Sequence, residues 1–302
     1  MFGFRYHLVT IIAIFMALGI GILLGGSIDQ DLFPKEQVAL FNRLEEKYNA
    51  SRAENTKWSR KVSELNRQTS QLDQALQQLG NLYVRNKLAG KKIVLVQFEK
   101  GDSAKVFDWL QSAGAQIQAT VKVRDTEAFL GTSALPVLAQ GLGTSGETSE
   151  ATLFSLSAKS LAASITGATS ASWPEFLKNK GWIDIQGHLG TRPDVVIVLG
   201  GVNKNTQSRL QWFDSPFLKE IRKQNIRVVG TERSDSESSI VPVYRNLGVP
   251  TVDNLDQASG LLSLVELING REGNYGIKQH SVSLIPQLGS PTAGGSLEVQ
   301  QP

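Results

Sequence analysis

Two short polar segments contain the side chains of this chain that are best suited to binding a ligand. Gly200 and Gly201 follow an apolar run, and together with Asn203 they can turn backbone amides toward an anion. Further on, residues 231–237 supply carboxylates, the oxygen ligands that hard divalent cations prefer. Each segment also has a plainer interpretation, a tight turn that needs glycine and a solvated loop. The candidate ligand-binding residues are Gly200, Gly201, Asn203, Glu232, Asp235 and Glu237.

Catalysis has no matching pattern in the sequence. None of the histidines, His7, His188 and His280, has a second histidine three or four residues away, so no metal-binding pair is indicated. The chain has no cysteine, and no GxSxG or HExxH segment is present. The sequence therefore predicts a protein that is not an enzyme and has no resident cofactor, and it leaves any metal site unknown.

The charge balance excludes one class of partner. The net charge of +3 is small for 302 residues, and no basic run with interleaved aromatic residues accompanies it. Binding to nucleic acid is therefore not expected. A hydrophobic content of 41% with 20% charged residues is typical of an ordinary folded protein.

The candidate site residues follow strands of a predicted α/β domain over residues 90–270. Apolar runs at 93–96 and 194–200 are typical of strands buried on both faces. Other strands are predicted at 116–123, 226–230 and 249–252, and helices at 102–113, 214–224, 239–246 and 256–269. This alternation predicts a doubly wound, mainly parallel sheet. Ligands bind such sheets at the carboxyl ends of the strands, here the loops 97–103, 200–205 and 231–239.

Two stretches depart from this alternation. Residues 124–190, rich in serine, threonine, alanine and glycine, are predicted to form a helical insertion with helices at 151–165 and 174–180. Residues 271–302 are predicted to be a tail, disordered in part, because glycine, serine and proline dominate its end beyond Gly289.

A heptad pattern precedes the domain, over residues 34–86. Apolar residues recur there with alternating spacings of three and four, which is typical of a coiled coil. Asn55 occupies an a position, where a polar residue fixes the register and favours two parallel strands. The alternative is one amphipathic helix that packs on its own domain. The predicted oligomerisation residues are Phe41, Leu44, Tyr48, Asn55, Trp58, Val62, Leu65, Leu72, Leu76 and Leu79.

The first helix is predicted to be a membrane anchor. Residues 8–28 contain no charged side chain and would span about 30 Å as a helix, the thickness of the hydrocarbon core of a bilayer. A cleaved signal peptide is the alternative, although its apolar region is shorter, about 7–15 residues. Arg5 precedes the run, and Asp29 and Asp31 follow it. Residues 1–7 are therefore expected in the cytoplasm and the α/β domain outside it.

Several short motifs resemble those of a known family. Arg5 and His7 lead into an anchor that ends in the glycine-rich run Gly19–Gly25. Further similar motifs are Val198-Leu199-Gly200-Gly201, Pro250-Thr251-Val252-Asp253-Asn254 and Gly273-Asn274-Tyr275-Gly276. With these motifs the chain resembles the mycobacterial copper-transport protein B family along nearly its whole length.

The resemblance implies an envelope protein of copper efflux or tolerance, from a family described as pore-forming in the outer membrane, with copper as the transported ion. Taken with the residues, it predicts a single-pass membrane protein that forms a homodimer or higher oligomer through its coiled coil and works with envelope transport partners. The alternative is a non-transporting envelope scaffold or sensor whose α/β domain binds a ligand.

Overall fold

The computed structural model describes residues 4–27, 35–98, 103–124, 129–144, 148–201 and 207–288. The predicted limits of the anchor at Ile28 and of the coiled coil at Pro34 lie outside these residues. The chain divides into two compact units, Met1–Thr69 and Ser70–Pro302. The α/β unit thus begins inside the predicted coiled-coil segment, whereas the sequence placed its start at residue 90.

The first unit contains α1 (Phe4–Ser27), a helix with no proline and no acidic residue. Its segment Tyr6–Gly25 has a mean hydropathy of 2.7, and none of it is buried. Among the described residues this is the one helix long and apolar enough to cross a membrane.

The second helix, α2 (Lys35–Val84), is continuous over 50 residues and passes from the first unit into the second. Good helix formers dominate it, and exposed pairs such as Glu64 with Arg67, 2.7 Å apart, add support along its surface. Residues 35–84 thus form one continuous helix. Its association with a second copy stays a prediction.

The second unit is built on a seven-stranded sheet. In chain order the strands are β1 (Lys92–Gln97), β2 (Gln116–Val123), β3 (Ile183–Gly187), β4 (Val195–Leu199), β5 (Arg227–Thr231), β6 (Thr251–Val252) and β7 (Asn274–Tyr275). Their spatial order is β3-β2-β1-β4-β5-β6-β7, and every neighbouring pair is parallel except β2 with β3. The predicted mixed α/β fold with a mainly parallel sheet is confirmed.

Helices and turns connect these strands. The helices of the second unit are α3 (Ala104–Ser112), α4 (Leu135–Leu142), α5 (Glu150–Ile165), α6 (Ser172–Asn179), α7 (Ser215–Lys223), α8 (Val241–Asn246) and α9 (Ala258–Ile268). A 3₁₀ turn at Thr132–Ala134 precedes α4, and a helical turn at Gln207–Arg209 continues through a π-helical turn at Leu210–Asp214 into α7.

Alternate residues of the central strands belong to two separate apolar clusters. In β1, Val94 and Val96 pack with α4 to α8, while Ile93 and Leu95 pack with α3, α9 and the end of α2. Because neighbouring side chains of a strand point to opposite faces, both faces of the sheet are covered. This explains the unbroken apolar runs of β1 and β4.

The sequence prediction needs correction at both edges of the sheet. The segment 124–190 is helical only in part, since its end forms β3, which pairs antiparallel with β2. The predicted tail contributes β7, and a bridge from Tyr275 to Ser283 extends that edge. Both additions are short strands, and a strand of two to five residues gives too few alternating positions for a clear periodic signal. Residues 289–302, where disorder was predicted, lie outside the described residues.

Candidate functional site at the carboxyl edge of the sheet

Polar residues gather where the parallel strands β4, β5 and β6 end. Gly200 directly follows β4, Glu232 follows β5, and Asp253 with Asn254 follows β6. The carboxyl ends of parallel strands share one edge of a sheet, and ligands bind such sheets where the strand order reverses, here between β1 and β4. This edge is the candidate functional site, and three groups of contacts define it.

The glycines after β4 contact other segments of their own chain, and the φ angle of Gly200 is not in the left-handed region that favours glycine. The backbone N–H of Gly200 donates to the carbonyl of Thr231 at 2.7 Å. A Cβ atom on Gly200 would lie 2.7 Å from Cδ1 of Ile240, so a side chain there would require the end of the Ile240 side chain to move. The carbonyl of Gly201 accepts a hydrogen bond from Nη1 of Arg209 at 3.2 Å. Asn203, the third predicted residue of this segment, lies outside the described residues.

A buried ion pair lies beside these glycines. Nε and Nη2 of Arg209 donate to the two carboxylate oxygens of Asp214 at 3.2 and 3.1 Å, and only 6% and 1% of the two side chains are exposed. The pair spans the π-helical turn, a local feature often found at functional sites. The guanidinium of Arg209 also lies 4.8 Å from the centre of the Phe98 ring, at the end of β1. The pair thus joins the ends of β1 and β4.

Tyr244 of α8 completes this group. Its hydroxyl donates to Oδ2 of Asp214 at 2.9 Å. Burial, and then the negative charge of Asp214, raise the pKa of Tyr244 well above its ordinary value. Tyr244 is therefore a stable hydrogen-bond donor and a poor proton donor in chemistry near neutral pH.

Glu232, predicted as a cation ligand, is enclosed by donors of its own chain. Its carboxylate accepts from Ser239 Oγ and from the backbone N–H of Ile240, each at 2.7 Å, and pairs with Nζ of Lys278 at 2.8 Å. The side chain of Glu232 has no exposed surface. Its charge is therefore balanced inside the protein.

Asp253, buried after β6, binds the segment 276–283, which we call the C-terminal strap. It accepts from the backbone N–H groups of Ile277 and Lys278, at 2.7 and 3.1 Å, and from the hydroxyl of Ser281. Since Lys278 also reaches Glu232, the strap is attached to the ends of both β5 and β6.

The remaining acidic residues of 231–237 point to solvent. Asp235 is 67% exposed and pairs with Arg233, whose hydrogen bond holds the pKa of Asp235 below its ordinary value. Glu237 is exposed. In the described part of the chain, no group of three His, Cys, Asp or Glu side chains is placed to hold a metal ion. Glu232, Asp235 and Glu237 are thus not brought together.

The arrangement can hold loops and the strap against the sheet, because each of its buried carboxylates already accepts hydrogen bonds from the protein. The sequence interpretation missed Arg209, Asp214, Tyr244, Asp253 and Lys278, which make these contacts. Asp253 directly follows the strand predicted at 249–252, so its place at the end of a strand could be predicted from the sequence. The contacts that join Asp253 and Glu232 to the strap, across 24 to 46 residues of sequence, could not be predicted from the sequence.

The predicted oligomerisation residues fall into two groups. Leu76 packs against the core of the α/β unit. The others are exposed on α2: Phe41, Leu44, Tyr48, Asn55, Trp58, Val62, Leu65, Leu72 and Leu79. His7, His188 and His280 are exposed as well.

The fold and this edge define a class: an α/β protein whose buried carboxylates attach its C-terminal strap to the sheet, with an N-terminal helix apolar enough to cross a membrane. The chain belongs to the MctB family, since residues 1–286 match the family described as "Copper transport outer membrane protein, MctB". The family resemblance seen in the sequence is confirmed. Among curated proteins there is no match.

Proposed function

We propose that the protein is a single-pass membrane protein of the cell envelope and takes part in copper transport or homeostasis as one component of an assembly. The observation behind the proposal is α1, whose side chains from Leu8 to Leu24 are apolar or small and exposed. A continuous apolar surface of this length is unfavourable in water and matches a bilayer. The copper role follows from membership in the family.

The side chains available to bind copper support a role as one component of a transport assembly and not as a complete copper carrier. Cuprous ion prefers thiolate and thioether ligands. The chain has no cysteine, and its two methionines are Met1 and Met16. One membrane helix does not enclose a path by itself, so we infer that partners in the envelope supply it. We also infer that the α/β unit is not an enzyme, because its described carboxylates are engaged in holding loops and the strap.

We make two further inferences, one about the winding of the sheet and one about the orientation of the chain in the membrane. We interpret it as doubly wound, because its order reverses at β1 and β4 and its two faces are covered by different helices. Arg5 lies on the amino side of α1, so we place residues 1–7 in the cytoplasm and the α/β unit outside.

Membrane anchoring is tested by fractionation of cells that express the full chain. The chain is expected to stay in the pellet after alkaline carbonate extraction, and added protease is expected to remove the α/β unit once it can reach the outer side of the membrane. A variant that lacks residues 1–27 is the control and should be released. Extraction of the intact full chain, or protection of its carboxyl end together with cytosolic markers, would contradict the proposal.

The copper role is tested by deleting the gene and measuring cellular copper. Deletion is expected to raise copper, and the full chain, but not the variant without residues 1–27, is expected to restore the original level. Unchanged copper in the deletion strain would favour the alternative of a non-transporting scaffold or sensor.

We further propose that two copies associate through α2 as a parallel coiled coil. Asn55 tests this arrangement. Replacing Asn55 with leucine is expected to tighten association by about tenfold and to allow oligomers larger than a dimer, because a polar a residue costs stability and specifies two strands. Asn49→Leu, one position past the seam residue Tyr48, is the matched control and should change neither. Sedimentation of the full chain in detergent measures both, and equal behaviour of the two variants would contradict the proposed seam.

A further inference from the structure

The part of α2 that belongs to the α/β unit has an exposed side without charge. In residues 68–84 the one charged residue is Asp73. Its carboxylate accepts a hydrogen bond from the backbone N–H of Ala258, the first residue of α9, at 2.8 Å. Upstream, lysine, arginine and glutamate recur throughout residues 43–67. Exposed helix surface is ordinarily rich in charge, whereas the centres of protein interfaces are depleted of it.

Three leucines lie on this uncharged side. Leu72, Leu79 and Leu82, which we call the leucine ridge, are 67%, 66% and 64% exposed. Leu72 and Leu79 are seven residues apart and continue the line of d positions formed by Trp58 and Leu65. The seven-residue spacing of d positions therefore continues in the sequence of the second unit.

The rotation of α2 is fixed at the level of the ridge. Leu76 and Tyr83, the last two a positions, pack against the core. At Gly80 the helix approaches α3 so closely that a Cβ atom would lie 2.6 Å from the Trp109 ring. These contacts occupy one side of the helix, and the leucines of the ridge lie beside that side and remain exposed.

Polar contacts hold α2 and the residues just after it to α9. The hydroxyl of Tyr83 and Nζ of Lys87 both donate to Oε1 of Glu266, at 3.1 and 3.0 Å. Because Asp73 contacts Ala258 at the other end of α9, α2 is held at two points, Asp73 and Tyr83, which are about three turns apart. The direction of the ridge is therefore a property of the folded unit.

We propose that a second copy of this chain covers the leucine ridge, so that the contact between two α2 helices continues along the α/β unit through Leu72, Leu79 and Leu82 and not through Leu76. The inference rests on the proposed association of α2. A line of apolar residues with seven-residue spacing is complementary to itself on a parallel helix in the same register. A lipid surface is the weaker candidate, since interfacial helices have lysine and arginine beside their apolar face, and 68–84 has neither.

Single cysteines test the inference in the full chain, which has no cysteine of its own. In native membranes under mild oxidation, Leu72→Cys and Leu79→Cys are expected to form intermolecular disulfides at least about tenfold faster than the controls, because d positions face each other within disulfide reach. The matched controls are Gln74→Cys and Asn81→Cys. Both control residues are exposed, and each lies two positions past a ridge leucine, on the opposite side of the helix. Leu65→Cys reports on the seam of the first unit.

The outcomes distinguish failure of the ridge contact from failure of the proposed α2 dimer. Crosslinking at Leu65→Cys but not at the ridge would overturn the inference and leave the α2 dimer in place. Equal crosslinking at the ridge and at the controls would also overturn it. A monomer that crosslinks at none of these positions would overturn both.

Serine variants give an independent readout. Leu79→Ser is expected to weaken association in detergent at least about tenfold while leaving the urea midpoint of the dilute monomer unchanged. Leu76→Ser is expected to lower that midpoint, because Leu76 packs in the core. If Leu79→Ser associates as tightly as the unmodified chain, the ridge contact is contradicted.

Discussion

Replacing Asp214 with alanine is expected to lower the free energy of unfolding of the α/β unit by about 3–5 kcal/mol, because it leaves a buried guanidinium without its counter-charge. Arg209 and Asp214 are almost wholly buried and share two hydrogen bonds. The same substitution removes the acceptor of the Tyr244 hydroxyl. Urea unfolding of the full chain in detergent, followed by tryptophan fluorescence, measures the change.

A second arginine–aspartate pair in the chain supplies the control. Arg233 and Asp235 share two hydrogen bonds of similar length, but their side chains are 39% and 67% exposed. Asp235→Ala is expected to cost about 1 kcal/mol or less, since water replaces the lost partner. Equal losses in the two variants would show that burial of Arg209 does not determine the effect.

The sheet could be predicted from the sequence because its central strands are buried on both faces. The runs 93–96 and 195–199 contain only apolar residues, which identifies them as buried strands, and the helices between strands have clear apolar faces. The edges could not be predicted as well. β3 and β7 are short and half-exposed, and they form because β2 and β6 offer free backbone groups, which is a property of the folded sheet.

The candidate site shows the same limit. Gly200 and Glu232 lie at the carboxyl edge of the sheet, as predicted, because each directly follows a parallel strand. Whether a carboxylate there is open or enclosed depends on donors distant in sequence, such as Lys278 for Glu232. The heptad pattern had a related limit, because Leu76 and Leu79 are equally apolar, and only the position of the α/β core separates them.

The C-terminal strap gives the other large expected effect. Gly276 begins the strap with φ of +138°, a conformation that side chains rarely adopt, and an added Cβ atom would overlap the carboxylate of Asp253. Gly276→Ala is expected to cost about 2–6 kcal/mol, the sum of backbone strain of about 1–3 kcal/mol and overlap of about 1–3 kcal/mol. The overlap displaces the carboxylate that holds Ile277 and Ser281.

Trypsin distinguishes release of the strap from general destabilisation, because it cleaves after lysine and Lys278 is held between Glu232 and the carbonyl of Arg233. In Gly276→Ala, cleavage at Lys278 is expected to become fast while the rest of the α/β unit stays resistant. Gly270→Ala is the matched control: its φ is +107°, but nothing lies within 4 Å of an added Cβ atom, so it should cost only the strain. Cleavage at Lys278 that is equally slow in both variants would mean that the strap stays bound without Asp253 in place. In that case the pairing of Lys278 with Glu232 would be sufficient to hold it.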